Sequence, residues 1–322
     1  MVVICDGMAD STADFQDGMT PMARAQIPNM DFLARMGRSG CLHTIPTGKY
    51  VGSETAILTI LGYKPEELPS GRGPLEATGL GLDISSETYA ARYILSETID
   101  LECILHDYPS CRFHALSDRT GISLFQDDCR ERLHADPRLK IWSEDKKRSF
   151  RDFRNPNNKD ISQWTSAALI GKVPLVKGIA MECGLKWIEP DGATGDIDTD
   201  YQNKGTAMIG AIKNHDIVIV HIEACDAASH RRDLKSKIKA IESIDSNIIS
   251  LLRKLYSREE DISVAVISDH PTLCSSGTHS REATPALICF KGIKTDSVLF
   301  FSEKEAKNGS LKEISELWET AE

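Results

Sequence analysis

The sequence lacks long apolar runs and lacks an excess of positive charge. No stretch approaches the roughly 18 apolar residues that a membrane-spanning helix needs, so we expect no membrane association. The formal net charge is −10, which argues against nucleic-acid binding because that binding needs a basic surface. An acidic protein can still bind phosphate groups where metal ions supply local positive charge.

Paired cysteine motifs and targeting signals are also missing. The nine cysteines form no Cys-x-x-Cys pair, so we interpret them as reduced thiols of a cytoplasmic protein. Residues 1–6 have neither the basic segment nor the cleavage site of a signal peptide. The sequence contains no P-loop and no complete EF-hand loop, which removes two common ways of holding nucleotides and calcium.

What the sequence does contain is an alternation of short apolar runs and amphipathic segments. Val2–Cys5, Ile217–Ile222 and Ile262–Ile267 are predicted to be buried strands, and Leu234–Leu255 is predicted to be one long amphipathic helix. Strands that alternate with helices predict an α/β protein with a mainly parallel sheet covered by helices on both faces.

The middle of the chain differs from both ends. Residues 86–170 are dense in charge and weak in helical periodicity. We therefore predict a catalytic core formed by residues 1–85 and 171–322, with residues 86–170 inserted as a smaller α+β domain. We expect the insert to bind substrate and to act as a lid.

Acidic and histidine residues come directly after three of the predicted strands. The segments are Cys5–Gly7, Glu223–His230 and Ser268–Thr272, the last followed by His279. In open α/β sheets, ligands bind at the carboxyl ends of the strands. All three segments therefore fall at the sheet edge where a functional site is expected.

The residue types in these segments are those of a metal site. Carboxylate and imidazole ligands suit Zn or Mn, and oxygen ligands also suit Mg. Asp226 and His230 are four residues apart, so one helical turn puts them on the same face. Asp269 and His270 are adjacent and can serve two metals only from an irregular loop. Taken singly, each residue also fits a turn, cap or surface position, and the residues alone leave open whether one metal or two are bound.

Ser53 is predicted to begin an apolar helix in the segment Gly52–Thr55. One interpretation is an ordinary N-cap. The other is a nucleophile whose hydroxyl pKa a metal lowers, and whose phosphorylated form meets the positive end of the helix dipole. The two interpretations are compatible.

Two cations and one glycine-rich loop are further candidates. Arg72 lies between glycines and has the forked geometry that suits phosphate or carboxylate, although a surface turn also fits it. Lys177 is a single cation in an apolar helix, which fits either a phosphate contact or a lysine that extends to solvent. We interpret residues 192–200 as a turn beside the site.

As a set, several segments in chain order resemble the archaeal-type cofactor-independent phosphoglycerate mutases of the alkaline phosphatase superfamily. These segments are Asp6–Gly7, Pro28–Asp31, Gly52–Ala56, Leu61–Tyr63, Gly71–Ala77, Lys177–Gly178, Gly192–Gly195, Asp198–Tyr201, Asp226–His230, Asp269–His270 and His279.

The resemblance implies an alkaline-phosphatase-like α/β core that binds two divalent ions, Mn²⁺ or Zn²⁺ with Mg²⁺ as a further option. The implied ligands of the first ion are Asp226, His230 and His279. The implied ligands of the second ion are Asp6, Ser53, Asp269 and His270. The resemblance makes Ser53 the phosphorylated nucleophile, and it makes Lys177 and Arg72 cations that face phosphate.

Three functions fit these residues. The first is a mutase that interconverts 3- and 2-phosphoglycerate, a small phosphorylated substrate. The second is a homoserine kinase-like phosphotransferase, because residues 7–10, 34–38 and 269–272 are closer to a bacterial branch proposed to have that activity. The third is a non-catalytic metal-binding relative, which the short insert favours. The oligomeric state stays open.

Overall fold

The computed structural model describes residues 1–96, 100–150, 152, 166–258 and 261–320. Parts of the predicted insert, namely 97–99, 151 and 153–165, lie outside the described residues. The strands are β1 (Val2–Cys5), β2 (Arg38–Leu42), β3 (Tyr89–Leu95), β4 (Arg112–Ala115), β5 (Thr120–Phe125), β6 (Leu139–Lys146), β7 (Ala167–Ile170), β8 (Lys186–Ile188), β9 (Ile217–Ile222), β10 (Val264–Ile267), β11 (Thr272–Leu273), β12 (Thr278–His279) and β13 (Thr284–Cys289).

The helices connect these strands and cover the sheets. They are α1 (Pro21–Arg24), α2 (Pro28–Arg35), α3 (Ser53–Ile60), α4 (Gly73–Gly79), α5 (Leu101–Asp107), α6 (Asp127–Ala135), α7 (Pro174–Glu182), α8 (Tyr201–Ile212), α9 (Ala224–His230), α10 (Leu234–Ile244), α11 (Ser250–Ser257) and α12 (Glu303–Ala306). A π-helical turn, Asp245–Ile249, joins α10 to α11.

The described residues form two compact units. The core unit comprises residues 1–65, 166–172, 185–258 and 261–320, and the second unit comprises the described residues of 66–152 and 173–184. The predicted boundaries are 85/86 and 170/171. The structure instead groups α4 and α7 with the second unit and puts β7 in the sheet of the core unit.

The core unit is built on a seven-stranded sheet in the order β2-β13-β10-β1-β9-β7-β8. Strand β1 pairs in parallel with β10 and β9, and β7 pairs in parallel with β9 and β8. Strand β13 runs antiparallel to both of its neighbours. Strands β1, β9 and β10 are buried along their whole length, which is why their sequences are continuous apolar runs. The predicted mainly parallel sheet is confirmed.

Helices α2, α8, α10 and α11 pack on one face of this sheet. Their buried side chains, among them Met30, Met208 and Ile241, form one apolar cluster with Val3 and Val220 of the strands. The predicted helix Leu234–Leu255 is correct in extent but not in regularity, because the π-helical turn interrupts it.

The second unit contains a four-stranded antiparallel sheet in the order β4-β5-β3-β6. Ile104 of α5 and Leu133 of α6 pack with Tyr93 and Phe125 of the strands. Helices α4 and α7 cross so closely that a Cβ on Gly178 would lie 1.8 Å from the carbonyl oxygen of Leu75. That crossing ties α7 to this unit even though α7 is distant from α4 in sequence.

Candidate metal centre

The three predicted ligand segments meet at one edge of the core sheet. Strand β1 lies between β10 and β9. Asp6 directly follows β1, Ser268 follows β10 and Glu223 follows β9. Parallel strands bring their carboxyl ends to the same edge. Folding therefore gathers side chains that are more than 200 residues apart in the chain.

A first ligand cluster consists of Asp6, Asp269 and His270. One ligand atom from each residue lies within 4.8 Å of the others. His270 Nε2 lies 3.3 Å from Asp269 Oδ2 and 3.7 Å from Asp6 Oδ1. All three residues are buried. Asp269 is fixed because its Oδ1 accepts hydrogen bonds from the backbone N–H groups of Gly7 and His270, at 3.0 and 2.8 Å.

A second cluster consists of Asp226, His270 and His279, so His270 belongs to both clusters. His230 adjoins this cluster from the last turn of α9. Its Nε2 lies 3.2 Å from Asp226 Oδ2 and 3.1 Å from His279 Nε2. The prediction that one helical turn aligns Asp226 with His230 is confirmed.

In His230 and His279, the ring nitrogen Nδ1 is held by a backbone carbonyl. His230 Nδ1 donates to Gly277 O at 2.8 Å, and His279 Nδ1 donates to Val51 O at 3.3 Å. When both rings are neutral, their Nε2 atoms carry no proton and present lone pairs to each other and to Asp226. Such an arrangement is repulsive unless a cation lies among these atoms, and carbonyl-anchored imidazoles are typical of metal ligands.

The two carboxylates of the first cluster, Asp6 and Asp269, also fit a cation. Among the described residues, Asp6 Oδ1 and Asp269 Oδ2 are buried and accept no hydrogen bond. Burial, together with the charges of Asp269, Asp226 and Glu223, raises the pKa of Asp6 well above its usual value. Burial also opposes ionisation of Asp226, but hydrogen bonds from His230 and His279, when these rings carry a proton on Nε2, outweigh burial and hold its pKa well below the usual value. The donor set therefore fits divalent metal ions.

Ser53 lies beside the first cluster. Its Oγ is 3.2 Å from His270 Nε2, and the residue is buried. The N-cap of α3 is Gly52, and Ser53 is the first residue of the helix proper. The N-cap interpretation of Ser53 is therefore wrong. The reason is that Gly52 takes the extended cap conformation, while the serine side chain turns toward the ligands.

A buried network that the sequence did not reveal lies behind Asp6. His221 Nε2 is 3.5 Å from Asp6 Oδ2, and His221 Nδ1 is 3.1 Å from Glu223 Oε1. Lys204 Nζ lies 3.1 Å from Glu223 Oε2. Burial would raise the pKa of Glu223, but Lys204 and His221 outweigh it and lower that pKa to about 2. The sequence signal that could have revealed this network is His221, a histidine inside the otherwise apolar run of β9.

A second buried ion pair, Lys237 with Asp10, was also missed. Lys237 Nζ donates to Ala9 O, Asp10 Oδ2 and Thr272 O at 3.0, 3.0 and 2.8 Å. Neither charged side chain is exposed to solvent. All three ammonium protons are used, so this lysine joins the loop after β1 to strand β11.

The glycine-rich loop 192–200 is connected to the end of α9. Arg231, next to His230, makes a two-point contact with the Asp196 carboxylate at 2.6 and 2.7 Å. This contact places the loop near His230, in agreement with the interpretation of residues 192–200 as a turn beside the site.

The two predicted phosphate-binding cations lie in the second unit. Arg72 directly precedes α4, where its backbone N–H donates to Ser143 Oγ at 2.9 Å. Lys177 lies in the middle of α7 and is half-buried. The ligand clusters all belong to the core unit, so the predicted site residues divide between the two units.

Comparison with known proteins identifies the class. The family model described as the Metalloenzyme superfamily matches residues 1–318, so the chain belongs to that superfamily. It is 32% identical to the 2,3-bisphosphoglycerate-independent phosphoglycerate mutase of Methanosarcina barkeri, over 96% of this chain and 95% of the relative. The chain therefore belongs to the family of these cofactor-independent phosphoglycerate mutases, as the motif resemblance implied.

Two solved structures share the fold of this chain. A Pyrococcus horikoshii protein superimposes with a TM-score of 0.79 at 27% identity, covering 98% of this chain and 94% of the other. The cofactor-independent phosphoglycerate mutase from Thermoplasma acidophilum superimposes with a TM-score of 0.66 at 18% identity, covering 98% and 96%. At 18% identity, the second comparison supports a shared fold and nothing further. Within the described part of the chain, no helix has the length and apolarity needed to cross a membrane.

Proposed function

We propose that this protein interconverts 3- and 2-phosphoglycerate through a phosphorylated Ser53, with two divalent metal ions at the edge of the core sheet. The observation that carries the proposal is the position of Ser53. Its Oγ lies 3.2 Å from His270 Nε2, and His270 is the residue shared by both ligand clusters. A nucleophile in this position is next to the residue that the two ligand clusters share.

The ligands divide into two sets under this proposal. One ion is held by the outer set, which is Asp226, His230 and His279. The other is held by the inner set, which is Asp6, Ser53, Asp269 and His270. When bound, Mn²⁺ or Zn²⁺, or alternatively Mg²⁺, neutralises charge on the phosphoryl oxygens and favours the ionised serine hydroxyl.

The chain itself supplies the covalent step. Ser53 Oγ loses its proton and attacks phosphorus, the bond from phosphorus to one substrate oxygen breaks, and that oxygen takes up a proton. The glycerate then turns, its other hydroxyl attacks the phosphoserine, and Ser53 is regenerated with its proton. The N-terminal end of α3, which begins at Ser53, favours the negative charge of the phosphoserine.

The reaction is tested with protein freed of metal and then supplied with Mn²⁺, Zn²⁺ or Mg²⁺ in separate samples. We expect 3-phosphoglycerate to yield 2-phosphoglycerate without added bisphosphoglycerate, as measured by phosphorus NMR. No conversion with any of these ions would exclude the mutase. ATP consumption that depends on homoserine would then identify the kinase-like alternative, and metal binding without any phosphoryl transfer would identify a non-catalytic relative.

Loss of one ligand in the outer set is expected to remove one metal ion. Asp226→Ala and His230→Ala should each lower the metal content by about one equivalent and abolish nearly all activity, because the remaining ligands cannot complete the site. Elemental analysis measures the content, and circular dichroism checks the fold. Asp118→Ala and His106→Ala, which alter exposed residues of the second unit, should keep both ions. Full occupancy in the Asp226 and His230 variants would contradict the ligand assignment.

The second unit is proposed to bind the charged groups of the substrate through Arg72 and Lys177. Arg72→Gln and Lys177→Gln should each lower kcat/KM by roughly 10–100-fold, since a hydrogen bond between charged groups contributes about 1.5–3 kcal/mol. Metal content should not change. Lys140→Gln, which alters an exposed cation of the same unit, is the matched control. Unchanged kinetics in both variants would show that the substrate is held by other residues.

A further inference from the structure

We propose that Thr272 is a positioning residue that fixes the tautomer of His270 and thereby couples the two ligand clusters. The proposal rests on the proposed function only in that His270 binds a metal ion. It requires no particular substrate.

The hydroxyl of Thr272 lies between one ligand of each cluster. Thr272 Oγ1 donates to Asp226 Oδ1 at 2.7 Å. The same Oγ1 lies 3.2 Å from His270 Nδ1. The side chain is fully buried, so water does not compete for these hydrogen bonds.

Counting protons decides the direction of the second hydrogen bond. A threonine hydroxyl has one proton to donate, and an ionised carboxylate has none. Because the hydroxyl proton is given to Asp226, the Thr272–His270 bond can form only if His270 Nδ1 carries a proton and donates it. A neutral ring then has its lone pair on Nε2. That nitrogen is the atom that faces Asp6, Asp269 and Ser53.

The backbone around Thr272 holds the hydroxyl in place from three directions. The backbone N–H of Thr272 donates to Ala9 O at 3.2 Å, and the Thr272 carbonyl accepts from Lys237 Nζ at 2.8 Å. It also pairs with His279 across the β11–β12 hairpin. A β-branched side chain has few rotamers, so fixing the backbone largely fixes the hydroxyl.

Space for the hydroxyl depends on Gly7. A Cβ on Gly7 would lie 2.6 Å from Thr272 Oγ1, which is closer than real contacts allow. Gly7 also has φ +63°, a conformation that favours glycine. The loop after β1 therefore carries the ligand Asp6 and, one residue later, leaves room for the group that orients His270.

The test separates hydrogen bonding from packing with two substitutions. Thr272→Val keeps the shape and removes the hydroxyl, whereas Thr272→Ser keeps the hydroxyl and removes a methyl group. Manganese binding to metal-free protein, measured by calorimetry, should weaken by roughly 10–100-fold in Thr272→Val, the range for partners that orient ligands. Thr272→Ser should restore most of the affinity. Thr44→Val alters another buried threonine and should bind manganese as the wild type does.

Nitrogen NMR of labelled histidine gives a readout independent of turnover. In metal-free wild-type protein, the ring of His270 should carry its proton on Nδ1, with the signal assigned by its loss in His270→Gln. Thr272→Val should shift the ring toward a mixture of tautomers. A proton on Nε2 in the wild type, or wild-type manganese affinity in Thr272→Val, would overturn the proposal. Both measurements stand even if phosphoglycerate proves not to be the substrate.

Discussion

Replacing Ser53 with alanine is expected to lower turnover by roughly 10⁴-fold or more, the scale seen when a nucleophile is removed. The fold should survive, because Gly52 rather than Ser53 is the N-cap of α3. The stability cost should therefore stay below the ~1 kcal/mol typical of losing a capping side chain. Metal content should remain, since three other ligands of the inner set are unchanged.

The covalent intermediate itself can be detected. Wild-type protein mixed briefly with substrate and then quenched in acid should carry one added phosphoryl group, which mass spectrometry should locate at Ser53. Ser39→Ala removes another buried serine hydroxyl of the core unit and should keep both turnover and the phosphorylated species. Retained turnover in Ser53→Ala would rule out the covalent mechanism even if every metal ligand proved correct.

Replacing Lys237 with methionine is expected to destabilise the protein by about 3–5 kcal/mol. Removing one partner of a buried ion pair leaves the other charge without compensation, here Asp10, whose side chain is not exposed. The carbonyls of Ala9 and Thr272 would also lose their donor. Urea unfolding measures the change in the free energy of unfolding.

A control on the same helix isolates the effect of burial. Lys235, two residues away in α10, is exposed, and Lys235→Met should change stability by about 0.5 kcal/mol or less. Adding Asp10→Asn to Lys237→Met should recover part of the loss, because the uncompensated charge is then gone. A loss below about 1 kcal/mol in Lys237→Met would show that water reaches this pair.

The position of the candidate site could be predicted from the sequence for a simple physical reason. Strands β1, β9 and β10 are buried along their length, so their apolar runs are unmistakable, and the loops after parallel strands lie at one edge of the sheet. Asp6, Asp226 and His270 stand at or just beyond those strand ends. The motif set then indicated the family, which the comparisons confirm.

The residues that orient the ligands could not be predicted in the same way. Thr272 and Lys237 make their contacts through a single hydroxyl proton and through backbone carbonyls, and such contacts leave no periodic trace in a sequence. Lys204 lies in a helix whose pattern is equally consistent with a surface lysine. The grouping of α7 with the second unit depends on the close approach of Gly178 to α4, which is a contact between distant segments.

The π-helical turn between α10 and α11 makes the length of this helical segment critical. Asp245, in that turn, accepts hydrogen bonds from the backbone N–H groups of Asn29 and Met30 at 3.2 and 2.8 Å, and so caps α2 from outside. The wider turn buries Asp245 while keeping Ile248 in the core. A loop can gain or lose one residue at little cost. Here, deleting one residue of the π-helical turn would convert it to regular α-helix, and Asp245 would lose the position from which it caps α2. Related chains are therefore expected to vary in length in their loops and not in this helix.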